Sequence, residues 1–97
     1  MSAYLISEVE ILDPTLADRY REIAAASIAA YGGRYLARGA KPTVLEGDFE
    51  EERVVVVVEF ADRATAERWY DSPEYAEGRE IAKVALNRRL LLVDGVA

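Results

Sequence analysis

The sequence contains no cysteine and no histidine. Those two absences remove disulfide frameworks, thiolate nucleophiles, CxxC redox motifs, Cys/His zinc sites and haem held by a proximal histidine. Carboxylate oxygens are the metal-ligand type that remains, and no EF-hand spacing arranges them for calcium, so neither a metal nor another cofactor is expected. Positive charge is in deficit: 12 Lys and Arg against 18 Asp and Glu leave a formal charge of −6. Nucleic acid and anionic membrane surfaces both demand a cationic face, and neither is an expected partner. The opening residues MSAYLISEVE carry no cationic leader and no long apolar stretch. No signal peptide or membrane span is therefore expected, and the expected setting is the cytoplasm.

What is present is globular in composition. Apolar residues make up 52% and charged residues 31% of 97 residues, enough for one domain over 1–97 with a modest core. Tyr4 to Ile11 alternates as a strand, with Leu5, Val9 and Ile11 on one face and Tyr4, Ile6, Glu8 and Glu10 on the other. Asp13-Pro14 then places an N-cap before a proline at the first helical position. Leu16, Tyr20, Ile23, Ala24 and Ile28 follow at helical spacing, with Asp18, Arg21, Glu22 and Ala25 on the wet side. Gly32 suits the left-handed residue that closes such a helix.

A strand launches from Arg34, is interrupted between Gly39 and Pro42, and resumes at Thr43 to Glu46. Residues 47–52, GDFEEE, read as an acidic hairpin loop, and Val54 to Phe60 as the next strand. Asp62 caps a helix through Ala66, Trp69 and Tyr70. Ser72-Pro73 restarts it, and Tyr75, Ile81, Ala82 and Ala85 continue its apolar side. Arg88 to Asp94 is the last strand.

The order β-α-β-β-α-β predicts an α+β, ferredoxin-like domain, an antiparallel sheet with both helices on one face. A sheet wet on its other face alternates apolar and polar residues. Val54 to Val58 and Leu90 to Val93 do not alternate. Helices cover only one face, so a second copy of the chain is expected to cover the other, giving a homodimer. Strand propensity alone is the alternative account of the valines.

Three stretches carry a family resemblance: Tyr4-Leu5-Ile6 leading into Asp13-Pro14; Ala30-Tyr31-Gly32-Gly33-Arg34-Tyr35-Leu36; and Trp69-Tyr70-Asp71-Ser72-Pro73-Glu74-Tyr75. With the closing Arg89 to Gly95, the chain resembles the domain-of-unknown-function family thirteen-thirty of the dimeric α+β barrel superfamily. The resemblance implies a homodimer whose two sheets meet. It supplies no reaction, because the wider superfamily holds cofactor-independent monooxygenases, isomerases, haem proteins and ligand-binding domains alike.

The candidate site residues are Glu8, Tyr31, Arg34, Tyr35, Arg38 and Trp69. Strict alternation puts Arg34, Leu36 and Arg38 on one sheet face. If Glu8 and Glu10 share that face, the space between two sheets holds arginines and carboxylates able to anchor a small anionic or aromatic metabolite. An internal Arg–Glu ion pair is the alternative. Tyr31 or Tyr35, with Glu8, would handle protons in a cofactor-independent enzyme, while core packing is the alternative for every aromatic here, Trp69 above all. Gly32-Gly33 follows a helix and precedes a strand, the reverse of a phosphate loop, and reads as a cap.

Overall fold

The computed structural model describes residues 1–96. Its elements are β1 (Ala3–Ile11), α1 (Pro14–Ala30), β2 (Arg34–Ala40), β3 (Val54–Phe60), α2 (Arg63–Tyr70), α3 (Pro73–Ala85) and β4 (Leu86–Asp94). The strands form one antiparallel sheet in the order β2-β3-β1-β4. This is the ferredoxin-like arrangement, with the second helix divided in two. No helix among the described residues is long and apolar enough to cross a membrane.

The caps form where the sequence places them. Asp13 accepts a hydrogen bond from the Leu16 amide at 3.1 Å, and Asp62 accepts one from Thr65 at 2.8 Å. Each contributes about 1 kcal/mol to its helix. Ser72 Oγ accepts from the Tyr75 amide at 3.2 Å and donates to the Trp69 carbonyl at 2.7 Å, which welds the end of α2 to the start of α3. Helix α1 closes with Gly33 N donating to the Ile28 carbonyl and Gly32 N to that of Ala29, with Gly32 at φ 72°. That pair of bonds is a Schellman ending. Gly33 is more than part of a cap: a Cβ there would stand 2.8 Å from both Ile28 and Phe60.

Leu5, Ser7 and Val9 of β1 pair with Val58, Val56 and Val54 of β3 and with Leu92, Leu90 and Arg88 of β4. These residues face the helices. Two buried clusters form there. One gathers Leu5, Ala24, Ile28, Val58, Phe60, Ala66, Trp69 and Tyr75; the other gathers Val9, Ala17, Ala82, Ala85 and Leu86. Trp69 anchors the first, its ring 4.2 Å from Tyr75 and 5.5 Å from Phe60. Its indole N–H donates to Ser27 Oγ at 2.9 Å. Tyr20 and Val56 pack against both clusters.

Two expectations fail in the middle of the chain. Residues 43–46 form no strand, since β2 ends at Ala40 and residues 41–53 are loop, with Leu45 90% exposed. Pro42 has no N–H to donate, and the strand does not recover beyond it. The second failure concerns faces. Tyr35 pairs with Val58, but Ala37, not Leu36, meets Val57, so a bulge lies between Tyr35 and Ala37. A second irregularity follows between Arg38 and Ala40.

Candidate functional site

The bulge reorganises the candidate residues. An extra residue in one strand exchanges the faces of everything beyond it. Arg34 pairs with Glu59 and points to the open face of the sheet, where Nε donates to the Glu59 carboxylate at 2.7 Å. Arg38 pairs with Val56 and points to the helix face. The expected shared face of Arg34 and Arg38 is thus incorrect.

Glu8 is on the open face and accepts from Arg89 at 2.7 Å. Tyr35 is in register with Val58 on the helix side, so the sheet separates it from Glu8 and the two cannot handle one proton together. The Tyr31 hydroxyl is engaged elsewhere, donating to Glu74 at 3.1 Å. Of the six candidates, Tyr35, Arg38 and Trp69 come together.

They meet at a partly enclosed cavity of about 280 Å³ between the sheet and the helices, on the seam of the two core clusters. Ala17 of α1 and Ser7 of β1 supply little volume there, and Leu5, Val9, Val54, Val56, Val58 and Leu90 make the walls apolar. The cavity is therefore within the protomer, not in the space between two sheets. Arg38 stands at its rim, exposed, with its guanidinium carbon 4.4 Å from the centre of the Tyr35 ring. Burial pushes the Tyr35 phenol above its ordinary pKa, against the pull of Arg38.

Arg88 and Tyr20 complete the cavity's polar end with Tyr75 behind them, and none of the three is among the sequence candidates. Arg88 Nη1 donates to Tyr20 Oη at 2.7 Å and Nη2 to Tyr75 Oη at 3.0 Å. The two phenol oxygens are 2.6 Å apart. Tyr75 is fully buried, and burial, reinforced by Tyr20, pushes its phenol far above the ordinary value despite Arg88. Burial opposes the charge on Arg88, but the two phenol oxygens outweigh it and its pKa is raised further. Arg88 makes no salt bridge among the described residues, and neither does Arg38. Among the described residues no carboxylate lines the cavity. A sequence signal for Arg88 exists: it follows Leu86 and precedes Leu90 and Leu92, in phase with the stripe that faces the core.

The open face carries its own pattern. Ile6, Val57 and Leu91 are in register across three strands, as are Tyr4, Glu59 and Val93. Leu91 and Val93 are each 41% exposed. The Glu8–Arg89 and Arg34–Glu59 pairs flank this apolar strip. The Arg34 guanidinium holds the Glu59 carboxyl below its usual range. Among the described residues, no group of three or more carboxylates is placed to hold a metal ion.

Solved structures share the fold. A protein of unknown function from Rhodopseudomonas palustris superposes with a TM-score of 0.76 at 16% identity, over 99% of this chain and 83% of that one. A dimeric ferredoxin-like protein of unknown function from Jannaschia sp. CCS1 gives 0.72 at 13% identity, over 98% and 100%. SnoaB, a cofactor-independent oxygenase from Streptomyces nogalater, gives 0.61 at 11% identity, over 99% and 94%. Comparison with curated proteins finds no match. The sequence pattern described as Domain of unknown function (DUF1330) matches residues 2–96, nearly the whole chain, and the protein belongs to that family.

Proposed function

We propose that the protein is a cytoplasmic homodimer that binds a small anionic organic molecule in each protomer, in the cavity between sheet and helices. The observation that carries this reading is the charge on Arg88. A cation drawn out of water normally has a carboxylate beside it, because unpaired burial costs several kcal/mol. Arg88 has two neutral phenols instead, and a second arginine without a carboxylate, Arg38, stands at the rim of the same cavity. In a chain of net charge −6, the convergence of two such arginines on one apolar hollow favours an anionic occupant.

Size narrows the occupant. The cavity of about 280 Å³ is roughly twice an engineered cavity of about 150 Å³ that accepts benzene. A single ring bearing a short substituent fits that space. Binding is preferred to monooxygenase- or isomerase-type catalysis because proton abstraction needs a base, and among the described residues no carboxylate or histidine lines the cavity. The likeness to SnoaB supports the fold alone.

The open face supports the dimer. Its apolar strip runs across β4, β1 and β3, with no helix among the described residues packed on it, and the Jannaschia structure is described as dimeric. Sheet-to-sheet packing of two copies would cover it.

Thermal denaturation with a panel of small aromatic and aliphatic acids tests the ligand reading. An acid present at a hundred times its Kd stabilises the folded state by about 2.7 kcal/mol, which raises Tm by on the order of 10 °C in a domain of this size. No shift with any anionic aromatic would defeat the proposal. Light scattering tests the dimer separately: a protomer mass at micromolar concentration would refute it, and Val57→Arg is expected to produce that mass.

A further inference from the structure

The hydrogen bonds at the cavity's polar end leave one proton to be placed. Tyr20 and Tyr75 carry two hydroxyl hydrogens, and each oxygen already accepts from Arg88. One hydroxyl hydrogen fills the 2.6 Å bond between the phenols. Suppose Tyr20 donated it. Tyr75 would then hold its own hydrogen fully buried, with no acceptor among the described residues other than Tyr20 itself. Buried donors are almost always paired. The opposite direction, Tyr75 donating to Tyr20, leaves the Tyr20 hydrogen free, and Tyr20 lines the cavity whereas Tyr75 lies behind it.

The chain of donors therefore runs from Arg88 and Tyr75 into Tyr20 Oη, and from Tyr20 outward. A hydroxyl that accepts from a cation and a phenol is polarised into a stronger donor. The Arg88 fork, by contrast, is already engaged: Nη1 and Nη2 each point at a phenol. Carboxylates are matched by a bidentate guanidinium fork, and one hydrogen of each terminal nitrogen of Arg88 is already taken by the phenols. At this end of the cavity the Tyr20 O–H, backed by the positive charge of Arg88, is a donor left free. A ligand whose charge sits on a single oxygen is the complement.

We propose that Tyr20 is the specificity-determining donor of this site and that the ligand is bound through a single oxyanion, that of a phenolate or an enolate, rather than through a carboxylate. This rests on the anion-site reading above and narrows it. The charged and titratable groups facing that oxyanion are Tyr20 and Arg21 of α1, Tyr35 and Arg38 of β2, and Arg88 of β4, with Tyr75 of α3 behind them. None of them is a carboxylate and three are arginines, so the site favours the ionised form of an acidic phenol or enol.

The test titrates para-nitrophenol, whose colour reports its ionisation, and para-nitrobenzoate of similar size against the full chain and two variants. The phenol is expected to bind as phenolate, with its apparent pKa lowered by about one unit or more, and more tightly than the benzoate. Tyr20→Phe is expected to weaken phenolate binding by about tenfold or more. Tyr75→Phe removes the hydroxyl that donates to Tyr20 but leaves the Tyr20 donor in place, and is expected to lower Tm and to weaken phenolate binding by less than Tyr20→Phe does. Unchanged phenolate affinity in a folded Tyr20→Phe protein overturns the inference. Tighter binding of the benzoate overturns it too but leaves the anion site standing, whereas binding of neither probe removes both.

Discussion

Replacing Arg88 with methionine separates a residue kept for a ligand from one kept for the fold. The side chain donates two hydrogen bonds, at 2.7 and 3.0 Å, to Tyr20 and Tyr75. Hydrogen bonds to a charged group contribute about 1.5–3 kcal/mol each. Against them stands the cost of drawing the guanidinium out of water, several kcal/mol in real proteins. No carboxylate is left uncompensated when the charge is removed, because none is paired with it. The 2.6 Å bond between the tyrosines survives, and methionine fills much of the vacated volume beside Leu86 and Leu90. The opposing contributions nearly cancel. The stability of Arg88→Met, measured by urea denaturation at equilibrium, is expected to lie within about 1–2 kcal/mol of the parent. Binding of small anions is expected to fall to an undetectable level in the same preparation. A loss of about 3–5 kcal/mol, the cost of breaking a structural buried ion pair, would refute the reasoning and assign Arg88 to the fold.

Other perturbations test other parts of the structure. Gly33→Ala places a Cβ 2.8 Å from Ile28 and Phe60 and is expected to cost about 1–3 kcal/mol of overpacking, read from the urea midpoint; an unchanged midpoint would mean that the junction yields freely. Ser27→Ala removes the acceptor of the buried Trp69 indole N–H and is expected to cost about 1–3 kcal/mol, with a shift in tryptophan emission as the local check. At high pH, Tyr75 and Tyr35 keep their protons in the folded state beyond the point where unfolded tyrosines lose theirs, since burial raises both. Their contribution is complete below about pH 10 and is lost as pH rises through their folded pKa values, by up to about 1.4 kcal/mol per pH unit for each. Spectrophotometric titration should then show two phenols ionising late, Tyr75 later than Tyr35, and six phenols titrating together near their ordinary value would contradict it.

Local chemistry made most of the fold readable in advance. Asp13-Pro14 and Ser72-Pro73 carry both a cap and a fixed φ, so the helix starts needed no tertiary information. The runs Val54 to Val58 and Leu90 to Val93 announced a sheet with apolar residues on both sides. Strand β2 resisted, because Arg34 to Arg38 alternates well by itself and the bulge exists only in its pairing with β3. That one register shift moved Arg38 from the face of Arg34 to the face of Tyr35. The site was legible in part for the same reason. Arg38 was nominated on the premise of a shared face with Arg34, and Tyr35 as a tyrosine able to handle protons, whereas Arg88 sat within the leucine stripe of β4 and Tyr20 within the apolar spacing of α1. Each satisfies the pattern of a core residue, and only the meeting of α1, α3 and β4 turns them into a polar cluster.

The central claim is that the ligand site lies between sheet and helices, with Arg88 and Tyr20 at its polar end. Amide and side-chain chemical shifts recorded by NMR during titration with para-nitrophenolate test it most directly. The largest changes are expected at the Trp69 indole, the Arg88 guanidinium and the residues around Tyr20 and Tyr35, with Ile6, Val57 and Leu91 on the open face unmoved. Changes confined to Ile6, Val57 and Leu91 would put the site between the sheets and contradict it.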